Sequence, residues 1–225
     1  RSNHRMRTPT KVVIDIETIP LSENNLTEGQ NQMIARKLKN ISDKDPSIDP
    51  QKEKNKIQSL DPYLGQIVCL GMYYPEIEKE VRLCQSSDYS EKQLLQDFWQ
   101  QLSQFNGTYI HYNGRSFDCP FITKRSMVNR VLPTNRIFFN YTKYDPLPVH
   151  FDIMLQISGV GSYISLDHAC QIFGIPSPKN GTVKAENVYA AYLEGRTTEI
   201  MDYCVADLYS EFELYKIIVN YIAAK

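Results

Sequence analysis

The segment KVVIDIETI, residues 11–19, sets two carboxylates inside an otherwise apolar, β-branched run. That composition predicts a strand. Side-chain direction alternates along a strand, so Asp15 and Glu17 share one face with Val13, while Ile14 and Ile16 point to the other. Carboxylates in the middle of an apolar strand are costly unless something neutralises them. A divalent cation does so, and hard cations such as Mg2+ and Mn2+ prefer oxygen ligands. With 26 acidic residues in the chain, chance alone supplies about 0.75 triplets of the form D-x-E. The triplet by itself is weak, and a strand-end pair facing water is the competing reading. Its place on the first strand gives it weight.

After Pro20 the composition changes. Residues 21–60 are polar, with basic and acidic residues nearly balanced, and read as a solvated insertion that is long for a connection in a compact domain. A helix around 27–39 is expected within it, with Leu26, Met33, Ile34 and Leu38 on one side. Strands follow at 65–74 and 77–84, then an amphipathic helix at 90–105 behind Ser90 as N-cap. A short strand at 108–112 leads to the turn NGRS and a helix opening near Asp118. RIFF (136–139) is expected to be a further strand, beside an irregular stretch with Pro133, Pro146 and Pro148. Helices are expected at 151–157, 165–173, 184–194 and 197–223. This order predicts one α/β domain over 11–225 with a mixed sheet and helices packed on it. Residues 1–10 form a tail, and residues 1–5, ahead of Met6, are set aside as a candidate appended segment.

The 225 residues, 42% of them hydrophobic, suffice for a core and exclude global disorder. No apolar run is long enough to span a membrane, and the polar first residues carry no secretory signal. Five scattered cysteines without C-x-x-C argue against a disulfide framework or zinc ribbon and fit a reducing, cytoplasmic setting. A net charge of −1 speaks against bulk electrostatic capture of nucleic acid, though not against a local grip.

Two further segments carry candidate chemistry. In YIHYNGRSFDCPFI (109–122), Asn113-Gly114 breaks a strand and Asp118 falls at the start of the next helix. A helix dipole favours Asp118 there whatever its role. In the last helix Tyr203 and Asp207 are one turn apart on one face. The Y-x-x-x-D spacing also occurs at Tyr141/Asp145 and Tyr163/Asp167, but only the Tyr203 copy lies inside an expected helix. A tyrosine packed in the core with an Asp on its flank is the plainer reading of that pair alone.

Taken in order, DIETIP (15–20), NGRSFD (113–118) and YCVAD (203–207) resemble the motifs of the DEDD superfamily of 3′–5′ exonucleases, in its tyrosine subclass. The histidine subclass needs His where Asp202 stands. Within the subclass the chain is similar to the proofreading exonuclease domain of B-family DNA polymerases in its stand-alone form. DPYLGQIVCLG (61–71), HFDIM (150–154) and SLDHACQIFGIPSPK (165–179) add to the likeness.

The resemblance implies a ribonuclease H-like fold, a central mixed five-stranded sheet flanked by helices. It implies that Asp15, Glu17 and Asp207 hold one of two divalent cations, Mg2+ or Mn2+. Asp15 would bridge to the second, held by Asp118. Tyr203 would orient the attacking water. Thr18, Ile19, Asn113 and Phe117 would meet the terminal nucleotide, with Ile19 as an apolar wedge. The expected substrate is the 3′ end of single-stranded DNA. RNA trimming, or a non-catalytic nucleic-acid-binding subunit on the same fold, are the alternatives. No polymerase-sized segment is present, so proofreading would rely on a polymerase or repair partner acting in trans. His150 and Asp152 read as another metal pair or, as expected here, as a satisfied structural His and a helix-start Asp. Lys124, Arg125, Arg130 and Arg136 are candidates for phosphate contacts, although a solvated helix face has the same composition.

Overall fold

The structure is a computed structural model that describes residues 8–142, 149–176 and 182–223. The expected tail residues 1–5, the Tyr141 copy's Asp145, Pro146, Pro148 and the end of the 165–179 segment lie outside the described residues. Five strands form one mixed sheet in the order β3-β2-β1-β4-β5. They are β1 (Lys11–Pro20), β2 (Gly65–Tyr74), β3 (Lys79–Cys84), β4 (Thr108–His111) and β5 (His150–Asp152). β2 pairs antiparallel with β1 and β3, whereas β4 pairs parallel with β1 and β5. This is the ribonuclease H-like arrangement that the motifs imply.

The two faces of β1 bury different clusters. Val12, Ile14 and Ile16 join Phe98, Trp99, Tyr109 and Phe138 on one side. Val13 and Ile19 join Cys204, Leu208 and Ile218 on the other. The first side is covered by α3 (Glu91–Gln101) and α4 (Asp118–Val128). Ser90 caps α3 in a reciprocal box with Gln93, as its sequence predicts. The second side carries α8 (Thr197–Ala223), which crosses β2 at Gly71. A Cβ there would lie 2.8 Å from Leu208 Cδ1 and 3.0 Å from Cys204 Sγ, so glycine permits the close packing.

The insertion is ordered and helical. Thr27 caps α1 (Glu28–Ser42), and Asp49 caps α2 (Pro50–Ser59), with Pro50 in its first turn. Ile34, Ile57 and Leu64 form a small satellite core between them, flanked by Leu26, Leu38 and Ile41. Met33, expected on the packed side, is 40% exposed instead. The second helix carries no apolar stripe, so its sequence reads as loop. Its packing comes from a single buried aliphatic, Ile57.

Three other expectations are corrected. RIFF is not a strand, because Ile137–Thr142 forms a 3-10 turn that buries Phe138 against Trp99. The fifth strand is His150–Asp152, and α5 (Ile153–Ser158) begins after it with Asp152 as N-cap. Cys69 and Cys84 are joined in a disulfide, being opposite partners in the β2–β3 register with Cα atoms 4.2 Å apart. A spacing of 15 residues gives no hint of that register. Cys119, Cys170 and Cys204 are free and buried, as expected of small hydrophobes. Two shorter helices, α6 (Leu166–Phe173) and α7 (Val188–Leu193), complete the layer with α8. Among the described residues no helix is long and apolar enough to cross a membrane.

Candidate active site

A cleft of ≈ 920 Å3 opens where β1 and β4 end, between α2, α7 and α8. β1 delivers Asp15 and Glu17 to its floor by the two-residue period of a strand. The pairing of β1 with β2 slips between Glu17 and Thr18. The unpaired residue is Val68 of β2, so β1 keeps its alternation and Ile19, on the face of Val13, is fully buried in the core beneath α8. Ile19 therefore does not meet the cleft, which corrects its expected role as a wedge. Thr18 does line the cleft, but its hydroxyl donates to the Ser59 carbonyl at 2.7 Å and so ties β1 to the end of α2.

Asp118 enters from the first turn of α4, and its Oδ1 accepts the Ile16 N–H at 3.2 Å. The approach to Asp118 is built by the turn Asn113-Gly114. Asn113 has φ of 61°, in the left-handed region that Asn tolerates. A Cβ on Gly114 would fall 2.4 Å from the His111 ring, so only glycine fits. The turn is held by Asp152, whose carboxylate accepts the N–H groups of Asn113, Arg115 and Leu155. His150 gives Phe138 O its Nε2–H at 2.8 Å. Asp152 is thus the helix-start residue its sequence setting predicts.

α8 supplies Tyr203 and Asp207 one turn apart, and one turn further on, Glu211. Glu211 is 1% exposed, accepts from the Tyr112 N–H, and has an Oε2 without a partner. It is absent from the expected site, although the i, i+4, i+8 spacing Tyr203–Asp207–Glu211 was present to be read. Asp202, in the place of the histidine subclass residue, points away and pairs with Arg82 at 2.7 Å.

Carboxylate oxygens of Asp15, Glu17 and Asp207 lie within 4.8 Å of one another. Burial is the first cause that raises each neighbouring carboxyl, and mutual repulsion is the second. Asp15 is pushed well above the usual range by burial, then by Glu17, Glu211, Asp118 and Asp207. Glu17 is raised likewise by burial, Asp207 and Asp118. Asp118 is raised to about 7, chiefly by burial and against the hydrogen bonds it accepts. Burial followed by Asp118 and Asp207 raises Glu211. Tyr203 is held protonated by burial and by Asp207, Glu17 and Asp15 around it.

A group of converging acids with Asp15 Oδ2 buried and unpartnered has the donor chemistry for a hard divalent cation. The residues present fit such an ion.

Asn113 and Phe117 line the same cleft. The basic candidates do not. Arg125 is buried in an ion pair with Glu91 at 2.6 Å, Lys124 lies over the Tyr63 ring, and Arg130 and Arg136 are exposed elsewhere. Among the described residues the cations on the cleft are Lys52 and Lys56 of α2, which no sequence motif marks.

The sheet order and the acids that converge at its edge define a ribonuclease H-like domain of the polymerase-exonuclease type. Residues 63–222 match the family described as a predicted 3′–5′ exonuclease related to the exonuclease domain of PolB, and the chain belongs to that family. The matched stretch contains Asp118, Tyr203 and Asp207, while Asp15 and Glu17 precede it. The family B DNA polymerase from the hyperthermophilic archaeon Pyrobaculum calidifontis shares the fold, with a TM-score of 0.59 and 14% identity. That likeness covers 94% of this chain and 25% of the polymerase, so the chain spans about a quarter of its length. No curated protein sequence matches the chain.

Proposed function

We propose that the protein removes nucleotides from the 3′ end of single-stranded DNA, with two divalent cations, Mg2+ or Mn2+, held at the carboxylate cluster. The observation that carries this reading is the convergence of Asp15, Glu17 and Asp207 within 4.8 Å, with Asp118 hydrogen-bonded to the same strand. Asp15, Glu17 and Asp207 would hold one cation, and Asp118 with Asp15 the other. Bound there, such ions lower the pKa of a water and offset charge on the attacking and leaving oxygens.

The chain's own groups bind and orient. Tyr203 keeps its proton, so its hydroxyl positions the attacking water and does not act as the base. Lys52 and Lys56 face the phosphodiester backbone as it enters along α2. Phe117 and the exposed Tyr163 offer ring faces to unstacked bases, a sequence-tolerant grip suited to single strands. Asn113 lines the cleft and offers its side-chain amide to the terminal sugar or phosphate. Glu211 adds a further buried acid behind Asp118 and Asp207 and increases the demand for positive charge.

The test is a gel time course on 5′-labelled DNA and RNA single strands of one sequence, with Mg2+, Mn2+ or chelator. A cation-dependent ladder of shortened DNA supports the reading. Trimming of RNA alone would reassign the substrate. Binding without cleavage under every condition would leave a nucleic-acid-binding module.

A further inference from the structure

Behind the acidic cleft, on the other side of the Asn113-Gly114 turn, three potential ligands meet in the core. His111 ends β4, Cys119 is in the first turn of α4 and His150 opens β5. They are 1%, 2% and 2% exposed. His111 Nε2 lies 3.2 Å from His150 Nδ1, and Cys119 Sγ lies 3.6 Å from the same nitrogen. One ligand atom from each falls within 4.8 Å of the other two.

The outer contacts of the two imidazoles decide which atoms carry hydrogen. Phe138 O can only accept, so His150 Nε2, 2.8 Å away, is protonated, and the Nδ1 of the neutral ring is a lone pair. The other nitrogen of His111, Nδ1, is buried 3.5 Å from Asp152 Oδ2 without a hydrogen-bond partner, and the nearby carboxylate favours the hydrogen on that nitrogen. In that tautomer two lone pairs face each other 3.2 Å apart with no proton between them. Imidazoles that bind a metal give the outer ring N–H to a carbonyl or carboxylate and turn the free nitrogen inward, as His150 does with Phe138 O.

We propose that His111, Cys119 and His150 form a site for a zinc-type cation, separate from the carboxylate cluster. Bonds of ~2.0–2.1 Å to nitrogen and ~2.3 Å to sulfur at tetrahedral angles give ligand separations of ~3.3 Å and ~3.6 Å. The observed 3.2 Å and 3.6 Å match them. Two imidazoles and a thiolate suit zinc and its neighbours and are poor ligands for Mg2+. A dication, the Cys119 thiolate and the Asp152 carboxylate behind His111 sum to zero formal charge, as a buried site requires. A fourth position is left to a water or other small ligand. The ion braces β4, α4 and β5, the three elements that set Asn113, Asp118 and the Asp152 clasp.

The test uses the whole chain and zinc itself. Protein produced in zinc-supplemented medium and gel-filtered in metal-free buffer is analysed for bound metal, then exchanged with Co2+. Near one zinc per chain is expected, and the cobalt form should show a thiolate-to-cobalt absorption band. That band should persist in Asp15→Asn, which disables the carboxylate cluster, and vanish in Cys119→Ser and His111→Gln. The wild-type metal content and spectrum are decisive even if those variants fold poorly. A folded wild type with no retained zinc and no cobalt band overturns the proposal, and the pair is then a plain imidazole–imidazole hydrogen bond. A band that survives Cys119→Ser overturns it as well.

Discussion

The Asp118 carboxylate accepts its hydrogen bond from the backbone N–H of Ile16, midway between Asp15 and Glu17. One contact thus locks the start of α4 to the centre of β1 across 102 residues of chain. Each of the two faces of that strand has a separate duty at this point. Ile16 anchors the core side, while its neighbours on either side present acids to the cleft. The arrangement concentrates buried negative charge, and most of the expected behaviour follows from that.

Replacing Tyr203 by Phe should slow turnover by roughly tenfold to a hundredfold, the loss expected when a water is less well placed. Single-turnover rates at saturating Mn2+ would measure it. A loss as complete as that of Asp15→Ala would mean the hydroxyl does more than position.

In chelator, folding stability should fall as pH rises from about 6.5 to 8. Asp118 titrates at about 7 in the fold against an ordinary 3.8, and burial raises Asp15, Glu17 and Glu211 in the same direction. The folded state therefore binds more protons than the unfolded one. The stability that goes with those protons is full at low pH and is lost as pH passes the folded pKa. His150, lowered to about 3 mainly by burial, pulls the other way, but only below its unfolded pKa of 6.5. Thermal melts across this window check the sign. Mn2+ should flatten the slope, and a Tm that rises with pH in chelator would contradict the assignment.

Arg125→Ala should destabilise the protein by about 3–5 kcal/mol, since it strands a buried Glu91 carboxylate. Glu91 also accepts the Ile67 N–H and holds β2 to α3. Affinity for single-stranded DNA, measured on the folded fraction, should be unchanged. A pure affinity loss would restore the phosphate-contact role.

Lys52→Ala and Lys56→Ala should each weaken DNA binding about equally for all sequences. Each should lower the dependence of log K on log salt by about 0.7, the value for one phosphate contact on a single strand. Fluorescence anisotropy over a salt series reads both quantities. An unchanged slope would remove α2 from the substrate path.

The parts of the site that follow local rules were legible in the sequence. Asp15 and Glu17 are set by strand alternation, Tyr203 and Asp207 by helical spacing, and Asp118 by the turn before its helix. The parts set by tertiary accidents of packing were not. Ile19 looks like a cleft residue from its place after the motif, but at that end of β1 the same face packs into the core with Val13. Arg125 reads as a surface cation until Glu91, 34 residues away, is found beneath it. His150–Asp152 was hidden because three residues are too few for a periodic signal, and their strand exists only by pairing with β4. Helix α2 has almost no apolar face, yet it provides a wall of the cleft.

The central claim is that the carboxylate cluster is the nuclease centre, and Asp15→Ala tests it most directly. Wild type and variant, purified identically, are compared on 5′-labelled single-stranded DNA with Mn2+, with melting curves to show that both are folded. The account predicts stepwise shortening from the 3′ end by wild type and a loss on the order of 10³-fold in the variant. An Asp15→Ala protein that trims DNA at the wild-type rate would contradict it.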